Sequence, residues 1–199
     1  MSLINFLDLV GTFVFAISGA LAASEKKFDI FGAIFVASVT AVGGGTVRDM
    51  ILGTTPVFWV MDTNYILVIT MAVAFTVLFK ETVARLRTTV FLFDTLGLGV
   101  FTFIGLEKSL FLDISPAIGI VMGTFTAVLG GVIRDTLCNE VPLIFRDEIY
   151  ATACIIGGFV FVGLSYLNID FNIITWTCIS TVIAIRLLAI RYHIGLPKI

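Results

Sequence analysis

Seven long apolar windows constrain this chain more than any other feature, because each is poor in charge and long enough to cross a bilayer. A bilayer core needs about 20 apolar residues per helix, and only helices and closed β-barrels can span it with their backbone hydrogen bonds satisfied. Barrel strands would alternate apolar and polar residues over ~10 positions, and these windows do not alternate. The sequence therefore predicts an all-α polytopic membrane protein with seven transmembrane helices. The windows lie at about 3–24, 29–53, 63–79, 89–106, 114–136, 149–169 and 171–190.

Composition excludes most other classes of protein. Hydrophobic residues make up 59% of the 199 residues, charged residues make up 13%, and the mean hydropathy is +1.11. A soluble domain carries roughly 25% charged residues, so a soluble enzyme, a nucleic-acid-binding protein and a disordered chain are all disfavoured. The segment Met1–Ser24 lacks a basic n-region and a small-residue cleavage site. We therefore expect it to be a retained span rather than a signal peptide.

The cysteines and the single histidine offer no pattern for a disulfide or a metal site. Cys138, Cys154 and Cys178 have no CxxC spacing and lie in or beside apolar runs, which predicts small buried hydrophobic residues. His193 lies in the C-terminal tail, so no histidine-based metal site or triad can form. Because no paired catalytic Asp and no HExxH pattern is present either, we predict that the chain is not an enzyme and uses no cofactor.

Lysine and arginine fall unevenly on the two sides of the seven predicted spans. Ten lie on the side of the C-terminus, and two, Arg48 and Lys108, lie on the other. The positive-inside rule then predicts an external N-terminus and a cytoplasmic C-terminus. The basic cluster Lys80–Arg87 is explained by this topology alone, and binding of anionic lipid headgroups is the alternative.

An internal repeat relates the two halves of the chain at an offset of 86 residues. Positions 6–78 align without a gap, and the polar matches join Asp8 to Asp94, Arg48-Asp49 to Arg134-Asp135 and Pro56 to Pro142. Each copy contains three spans, an odd number, so the second copy enters the membrane from the opposite face. Such inverted repeats are typical of transporters and some channels. We predict one membrane domain, 1–199, with repeat one at 1–80, repeat two at 88–169 and an extra helix at 171–190.

A glycine cluster lies in the second span of each repeat, just before the Arg-Asp pair. Gly43, Gly44 and Gly45 form the first cluster, and Gly130 and Gly131 form the second. Because each glycine costs a helix interior about 1 kcal/mol relative to alanine, the clusters predict broken helices whose carbonyls line a polar path between the repeats. The alternative is close helix packing through small residues.

Hydroxyl side chains precede both clusters, Ser38 and Thr40 in the first repeat and Thr124 and Thr126 in the second. Uncharged oxygen dipoles suit a path for monovalent cations, because the ions must leave as readily as they enter. Hydroxyls also hydrogen-bond helix backbone in proteins that transport nothing. These four residues therefore do not by themselves distinguish an ion path from ordinary hydrogen bonding within helices.

Four charged residues lie in or at the edges of predicted spans, where ionised groups are costly and usually paired or functional. With a rise of about 1.5 Å per residue along a helix, Asp8 shares a membrane level with Arg48, and Asp94 shares one with Arg134. Neighbours such as Arg48 and Asp49 do not face each other on a helix, so we predict the ion pairs Asp8–Arg48 and Asp94–Arg134. The pairs either neutralise buried charge or also cap the two ends of a pore.

The duplicated GGGTVRD and GGVIRD motifs, the pattern of three, three and one spans and the Pro56/Pro142 spacing resemble the bacterial trimeric intracellular cation channels. The same domain family is also called the glycine transporter domain. The resemblance covers nearly the whole chain. It implies a homotrimer in a bacterial inner membrane, surrounded by lipid, with one path per protomer that passes potassium and to some extent sodium. The chain departs from the duplicated motif at Leu129, which stands where the first cluster has its leading glycine.

Two functions remain open at this point. A monovalent cation channel is the first, with ions held transiently near Gly43, Gly44, Gly130 and Gly131. A secondary transporter for a small solute such as glycine is the second, since inverted repeats and broken helices support it equally well.

Overall fold

A computed structural model describes residues 2–79, 89–146, 149–167, 169–192 and 194–195 of the chain. Within these residues the fold is all-helical, as predicted, with seven α-helices and two short 3₁₀ segments, Phe58–Met61 and Leu143–Phe145. The α-helices are α1 Leu3–Glu25, α2 Ile30–Ile51, α3 Asn64–Leu78, α4 Thr89–Phe111, α5 Pro116–Leu137, α6 Ala151–Ser165 and α7 Phe171–Tyr192.

The helix bounds reproduce the 86-residue offset of the sequence. Both ends of α1 and α2 recur at that offset as the ends of α4 and α5, and α3 recurs as α6 with an offset longer by one. Two pairs of left-handed residues also correspond: Lys27 with Asp113 between the first two helices of each repeat, and Gly53 with Asn139 after the second. The duplication therefore extends to the turns, and α7 stands outside it.

Five of the helices are long and apolar enough to cross a membrane, namely α1, α2, α4, α5 and α7 in the described part of the chain. The helices α3 and α6 have 15 residues each. That length is about 22 Å at the usual helical rise, less than a ~30 Å hydrocarbon core. Both follow a 3₁₀ segment. The third span of each repeat is thus a shorter helix than the other spans.

Local sequence explains where the helices begin. The Ser2 hydroxyl accepts from the Asn5 amide at 3.2 Å, and the Asp29 carboxylate accepts from the Gly32 amide at 2.7 Å. Both are N-cap interactions, which satisfy amides that have no partner inside the helix. Helix α5 begins at Pro116, and proline is favoured in a first turn because its missing N–H would have no partner there.

The helices α1, α2, α4 and α5 form the centre of the bundle. Helix α3 packs against α1 and α2, while α6 and α7 pack on each other and against α4. Phe15 of α1 and Phe101 of α4 are equivalent residues, and their rings meet near the centre with centroids 5.1 Å apart. The three cysteines are buried and unpaired, which confirms the prediction for them.

The predicted helix breaks are wrong. Helix α2 runs without interruption from Ile30 to Ile51 through Gly43–Gly45, and α5 runs from Pro116 to Leu137 through Gly130 and Gly131. The physical reason lies in packing, because Gly44 and Gly130 contact the backbone of the opposite helix where α2 crosses α5. Close approach of this kind offsets the helix-propensity cost of glycine, as in other membrane helix pairs.

Several predictions concern residues outside the described part of the chain. These are the basic cluster Lys80–Arg87, the repeat boundaries at positions 80 and 88, His193 in the tail and the topological Lys198.

Candidate functional site

The centre of the candidate site is the crossing of α2 and α5. A Cβ atom on Gly44 would overlap the carbonyl oxygen of Thr126, and a Cβ atom on Gly130 would overlap the carbonyl oxygen of Thr40. The two contacts are equivalent under the 86-residue offset, so the pseudo-two-fold axis passes through this crossing. Both helices approach so closely there that glycine is required at each position.

A second pair of glycines brings the first helix of each repeat against the crossing. A Cβ on Gly19 would lie 2.7 Å from the Thr40 hydroxyl oxygen, and a Cβ on Gly105 would lie 2.5 Å from the Thr126 hydroxyl oxygen. Thr40 and Thr126 are fully buried. Each threonine therefore sits between a glycine of its own repeat and a glycine of the other.

All four hydroxyls singled out in the sequence donate to the carbonyl four residues earlier. The distances are 2.7 Å for Ser38, 2.6 Å for Thr40, 2.9 Å for Thr124 and 2.6 Å for Thr126. Such bonds satisfy the hydroxyl hydrogen within the helix. The oxygen lone pairs remain as acceptors, and of the four residues Thr40 and Thr126 are the ones that lie at the crossing.

The remaining glycines of the clusters contact side chains rather than backbone. A Cβ on Gly43 would meet the end of Ile133 at 2.8 Å, and one on Gly45 would meet the Phe58 ring at 2.6 Å. A Cβ on Gly131 would lie 2.8 Å from the Tyr150 hydroxyl and 3.2 Å from the Asp94 carboxylate. Gly131 thus leaves space for a polar cluster beside the crossing.

We call that group of side chains the Arg134 cluster. Arg134 donates through Nη1 to Asp94 Oδ1 at 2.5 Å and to the Ser18 hydroxyl at 2.6 Å, and through Nε to Asp135 Oδ1 at 2.8 Å. Its side chain is 1% exposed. Asp135 also accepts from the Leu143 amide at 3.2 Å. The cluster is formed by Ser18, Asp94, Arg134, Asp135 and Tyr150.

The equivalent group in repeat one, the Arg48 cluster, is arranged differently. Arg48 contacts Asp49 Oδ1 through Nε at 2.8 Å and through Nη2 at 2.7 Å. Lys108 reaches the same oxygen at 2.7 Å, and the Phe58 amide donates to the other carboxylate oxygen at 3.1 Å. The cluster is formed by Asp8, Arg48, Asp49, Tyr65 and Lys108.

Of the two predicted ion pairs, Asp94–Arg134 is confirmed and Asp8–Arg48 is not. Asp8 accepts a hydrogen bond from the Tyr65 hydroxyl at 2.7 Å, and Arg48 acts on it through the longer-range Coulomb interaction. Arg48 instead folds along its own helix onto Asp49. Adjacent residues do pair here, contrary to the prediction, because a long arginine side chain can reach the carboxylate of the next residue near a helix end.

The two clusters contact opposite ends of α1 and α4, as expected for inverted repeats. Arg48 lies near Asp8 at the start of α1 and is linked through Asp49 to Lys108 at the end of α4. Arg134 joins Ser18 in the second half of α1 to Asp94 near the start of α4. Because α1 and α4 meet the two clusters in opposite order, the clusters lie at opposite ends of the bundle.

Six residues of these clusters were missed from the sequence: Ser18, Asp49, Tyr65, Lys108, Asp135 and Tyr150. The duplicated Arg-Asp pair was the signal for the two aspartates. Tyr65 and Tyr150 could not be recognised as a pair, because the 86-residue offset aligns Tyr65 with Ala151. The two tyrosines are 85 residues apart, whereas the bounds of α3 and α6 differ by 87, so no single offset would have paired both the tyrosines and the helices.

A cavity of about 240 Å³ opens toward the Arg134 cluster at the end of the bundle where α1 and α5 finish. Beside it, Glu140 accepts from Lys26 at 2.6 Å and lies 3.6 Å from Arg146. This contact raises the pKa of Lys26 and lowers the pKa of Glu140, because the hydrogen bond between them stabilises both charged forms. The positions equivalent to Lys26 and Glu140 in the other repeat are Leu112 and Thr54.

Comparison with known proteins identifies relatives over the whole chain. The family model described as Glycine transporter matches two segments, residues 5–81 and 91–166. The inner membrane protein YadS of Escherichia coli strain K12 is 44% identical over 198 residues, covering 98% of this chain and 95% of that protein.

Two solved structures share the fold. The trimeric intracellular cation channel orthologue from Rhodobacter sphaeroides has a TM-score of 0.92 and 35% identity, covering 98% of this chain and 100% of that one. A second structure of the trimeric intracellular cation channels, from work on their conductance, has a TM-score of 0.86 and 32% identity, covering 100% of this chain and 98% of that one. These relatives are ion channels and not enzymes.

Proposed function

Since the chain belongs to the bacterial trimeric intracellular cation channel family, which is also described as the Glycine transporter family, we propose that it is a monovalent cation channel. The observation that carries this proposal is the match to two solved channels at 35% and 32% identity over nearly the whole chain. The inverted repeat supports it, because such repeats commonly enclose a transport path at their interface.

The ion path is proposed to run through each protomer of a homotrimer, along the interface between α2 and α5. The oxygens available there are neutral, namely the carbonyls and hydroxyls of Thr40 and Thr126. Neutral oxygens bind potassium, and to some extent sodium, weakly enough for rapid release. Ser38 and Thr124 lie two residues before these threonines and so do not share their helix face. They are half-buried, and we propose them as outer residues of the path, away from the crossing.

In this conformation the crossing itself is closed, because Gly44 and Gly130 contact the opposite backbone. Conduction then requires α2 and α5 to separate at these glycines. Glycine suits such a joint, since it allows close contact without interlocking side chains.

The charged clusters fit the two ends of such a path. An arginine near a narrow path repels cations unless its charge is compensated, and Arg48 and Arg134 each contact at least one buried aspartate. We propose that Asp8, Arg48, Asp94 and Arg134 belong to the two ends of the path. Compensation of this kind leaves the local field close to neutral, so that cations can enter.

The proposed location is a bacterial inner membrane, with the N-terminus outside and the C-terminus in the cytoplasm. The distribution of lysine and arginine supports this orientation. Reporter fusions after Ser24 and after Lys80 test it, since both positions are expected in the cytoplasm. Disagreement between the two fusions would contradict an inverted three-helix repeat.

Transport of a small solute such as glycine is the second candidate, favoured by the description of the matched family. Purified protein in a planar bilayer under a potassium gradient distinguishes the two. A channel gives discrete unitary currents that reverse near the potassium equilibrium potential. Absence of such currents, together with saturable glycine uptake into liposomes, would show that the protein is a transporter and not a channel.

A matched set of threonine variants tests the path. Thr40→Val and Thr126→Val remove a hydroxyl at the crossing with little change of shape, and we expect altered unitary conductance. Thr177→Val is the control, because Thr177 makes the same bond to the carbonyl four residues earlier but lies on the outer side of α7. Equal conductance in all three variants would exclude the crossing as the path.

A further inference from the structure

The seventh helix lies outside the repeat, yet it carries a fully buried arginine. Arg186 is 0% exposed, and a guanidinium group buried in a membrane helix is costly unless it has a specific role or partner. A residue needed only for the positive-inside rule would be expected at the membrane surface. Its contacts therefore indicate what it does.

Two of those contacts involve Tyr150 and the residue before it. Arg186 donates through Nη1 to the Ile149 carbonyl at 2.7 Å, which fixes the peptide leading into Tyr150. Its guanidinium also lies over the Tyr150 ring, 4.9 Å from the centroid. Tyr150 is the residue immediately before α6, so Arg186 holds both its backbone and its ring at the entry to that helix.

Tyr150 in turn is directed at the Arg134 cluster. Its hydroxyl, Asp94 Oδ1 and Arg134 Nη2 all lie within 3.5 Å of the point where a Cβ of Gly131 would stand. The hydroxyl is completely buried beside the Asp94–Arg134 ion pair. A shift of Tyr150 would therefore change the surroundings of that pair.

The equivalent tyrosine of the first repeat has its partners within its own repeat. Tyr65 bonds Asp8, and the Phe58 ring packs edge-on against it at 4.9 Å. At the offset of 85 that relates the two tyrosines, Phe58 corresponds to Leu143, which has no aromatic ring and whose amide bonds Asp135 as that of Phe58 bonds Asp49. In repeat two a guanidinium from α7, that of Arg186, packs on the tyrosine ring instead.

We propose that Arg186 is a positioning residue, which holds the Tyr150 hydroxyl against the Asp94–Arg134 pair and so makes conduction at this end of the path depend on α7. The statement about conduction rests on the proposed channel function. The structural link from Arg186 through Tyr150 to the ion pair does not.

The test combines Arg186→Met, Tyr150→Phe and the double variant, with Arg191→Met as the control on the exposed face of the same helix. Each single variant should alter unitary conductance by about twofold or more, the size of coupling expected for contacting residues. The double variant should match Tyr150→Phe alone, because Arg186 acts through the hydroxyl. Additive effects in the double variant would overturn the proposal, since they would mean that Arg186 acts only on general stability.

A second readout does not depend on current. In protein labelled with 3-fluorotyrosine, the ¹⁹F resonance of Tyr150 is identified by its loss in Tyr150→Phe. It should move in Arg186→Met and in Asp94→Asn, and stay in place in Arg191→Met. Arg186→Lys, which keeps the charge but loses the planar group, should give a smaller shift and serves if the methionine variant does not fold.

The two readouts separate the possible failures. If the wild type carries no current but the resonance moves as described, the channel function fails and the positioning role stands. If the wild type carries current and the Tyr150 resonance is unchanged in Arg186→Met, the positioning role is overturned and the channel function stands.

Discussion

The two ends of the inverted repeat share one sequence motif and differ in how they compensate its arginine. At one end, Arg134 lies between Asp94 from another helix and its neighbour Asp135. At the other, Arg48 keeps to its neighbour Asp49, which also binds Lys108. Duplication therefore preserved the charge, the helix end and the contact with the neighbouring aspartate, but not the ion pair with an aspartate of another helix.

The consequence is a difference in how each end is tied to the rest of the bundle. Arg134 links α5 directly to α1 and α4 through buried bonds. Arg48 is linked to α4 through Asp49 and the partly exposed Lys108, whose side chain is 26% exposed. We expect the Arg134 end to be the more rigid one.

The largest predicted difference is between the two equivalent aspartates. Asp94→Asn breaks a fully buried ion pair and should lower the free energy of unfolding by about 3–5 kcal/mol. Asp8→Asn keeps an oxygen that can accept from Tyr65, and should cost about 1 kcal/mol. Denaturant unfolding in detergent micelles measures both. Equal losses of unfolding free energy in the two variants would show that both ends are tied equally to the rest of the bundle.

The next prediction concerns the crossing, where the halves should behave alike. Gly44→Ala and Gly130→Ala each force a methyl group against a carbonyl of the other helix, and should each cost about 1–3 kcal/mol. Gly163→Ala in α6 is the control, because nothing lies within 4 Å of its Cβ position. That change should be neutral or stabilise the helix by up to about 1 kcal/mol. A harmless Gly44→Ala would contradict the close crossing.

The smallest effect is expected at Glu140, whose ion pair with Lys26 has no counterpart at the equivalent positions of repeat one, Thr54 and Leu112. The lowered pKa of Glu140 means that its stabilising contribution is present above the usual carboxyl pKa and is lost as the pH falls through the lowered value. The raised pKa of Lys26 places the other limit at alkaline pH, where the contribution is lost as the pH rises through the raised value. Glu140→Gln should therefore lower Tm slightly at neutral pH and leave it unchanged in acid.

The exposed Asp113→Asn is the control for this last comparison, since Asp113 lies in the equivalent turn region at the opposite end of the bundle. Its Tm should follow the wild type across the pH range. A Glu140→Gln profile parallel to the wild type at every pH would remove the ion pair as the source of the effect. High salt should shrink the difference, because exposed charges are screened.

Much of the architecture could be predicted from the sequence. Apolar windows and the 86-residue offset predicted α1, α2, α4 and α5 closely, because each feature depends on local composition or on comparison of the chain with itself. The Asp94–Arg134 pair followed from membrane level alone. Asp8 and Arg48 share a membrane level without forming an ion pair, because depth gives the height of a residue on its helix and not the direction in which its side chain points.

What the sequence by itself determined is a membrane-spanning helical chain, duplicated so that its halves are inverted. Low charge forces helices in lipid, and an odd number of spans per copy forces inversion. Only the tertiary structure decided that Gly44 and Gly130 join helices rather than break them, and that Arg186 supports Tyr150. Helices that are apolar on nearly every side give no sequence signal for which face meets which neighbour, so contacts across the bundle are fixed by packing.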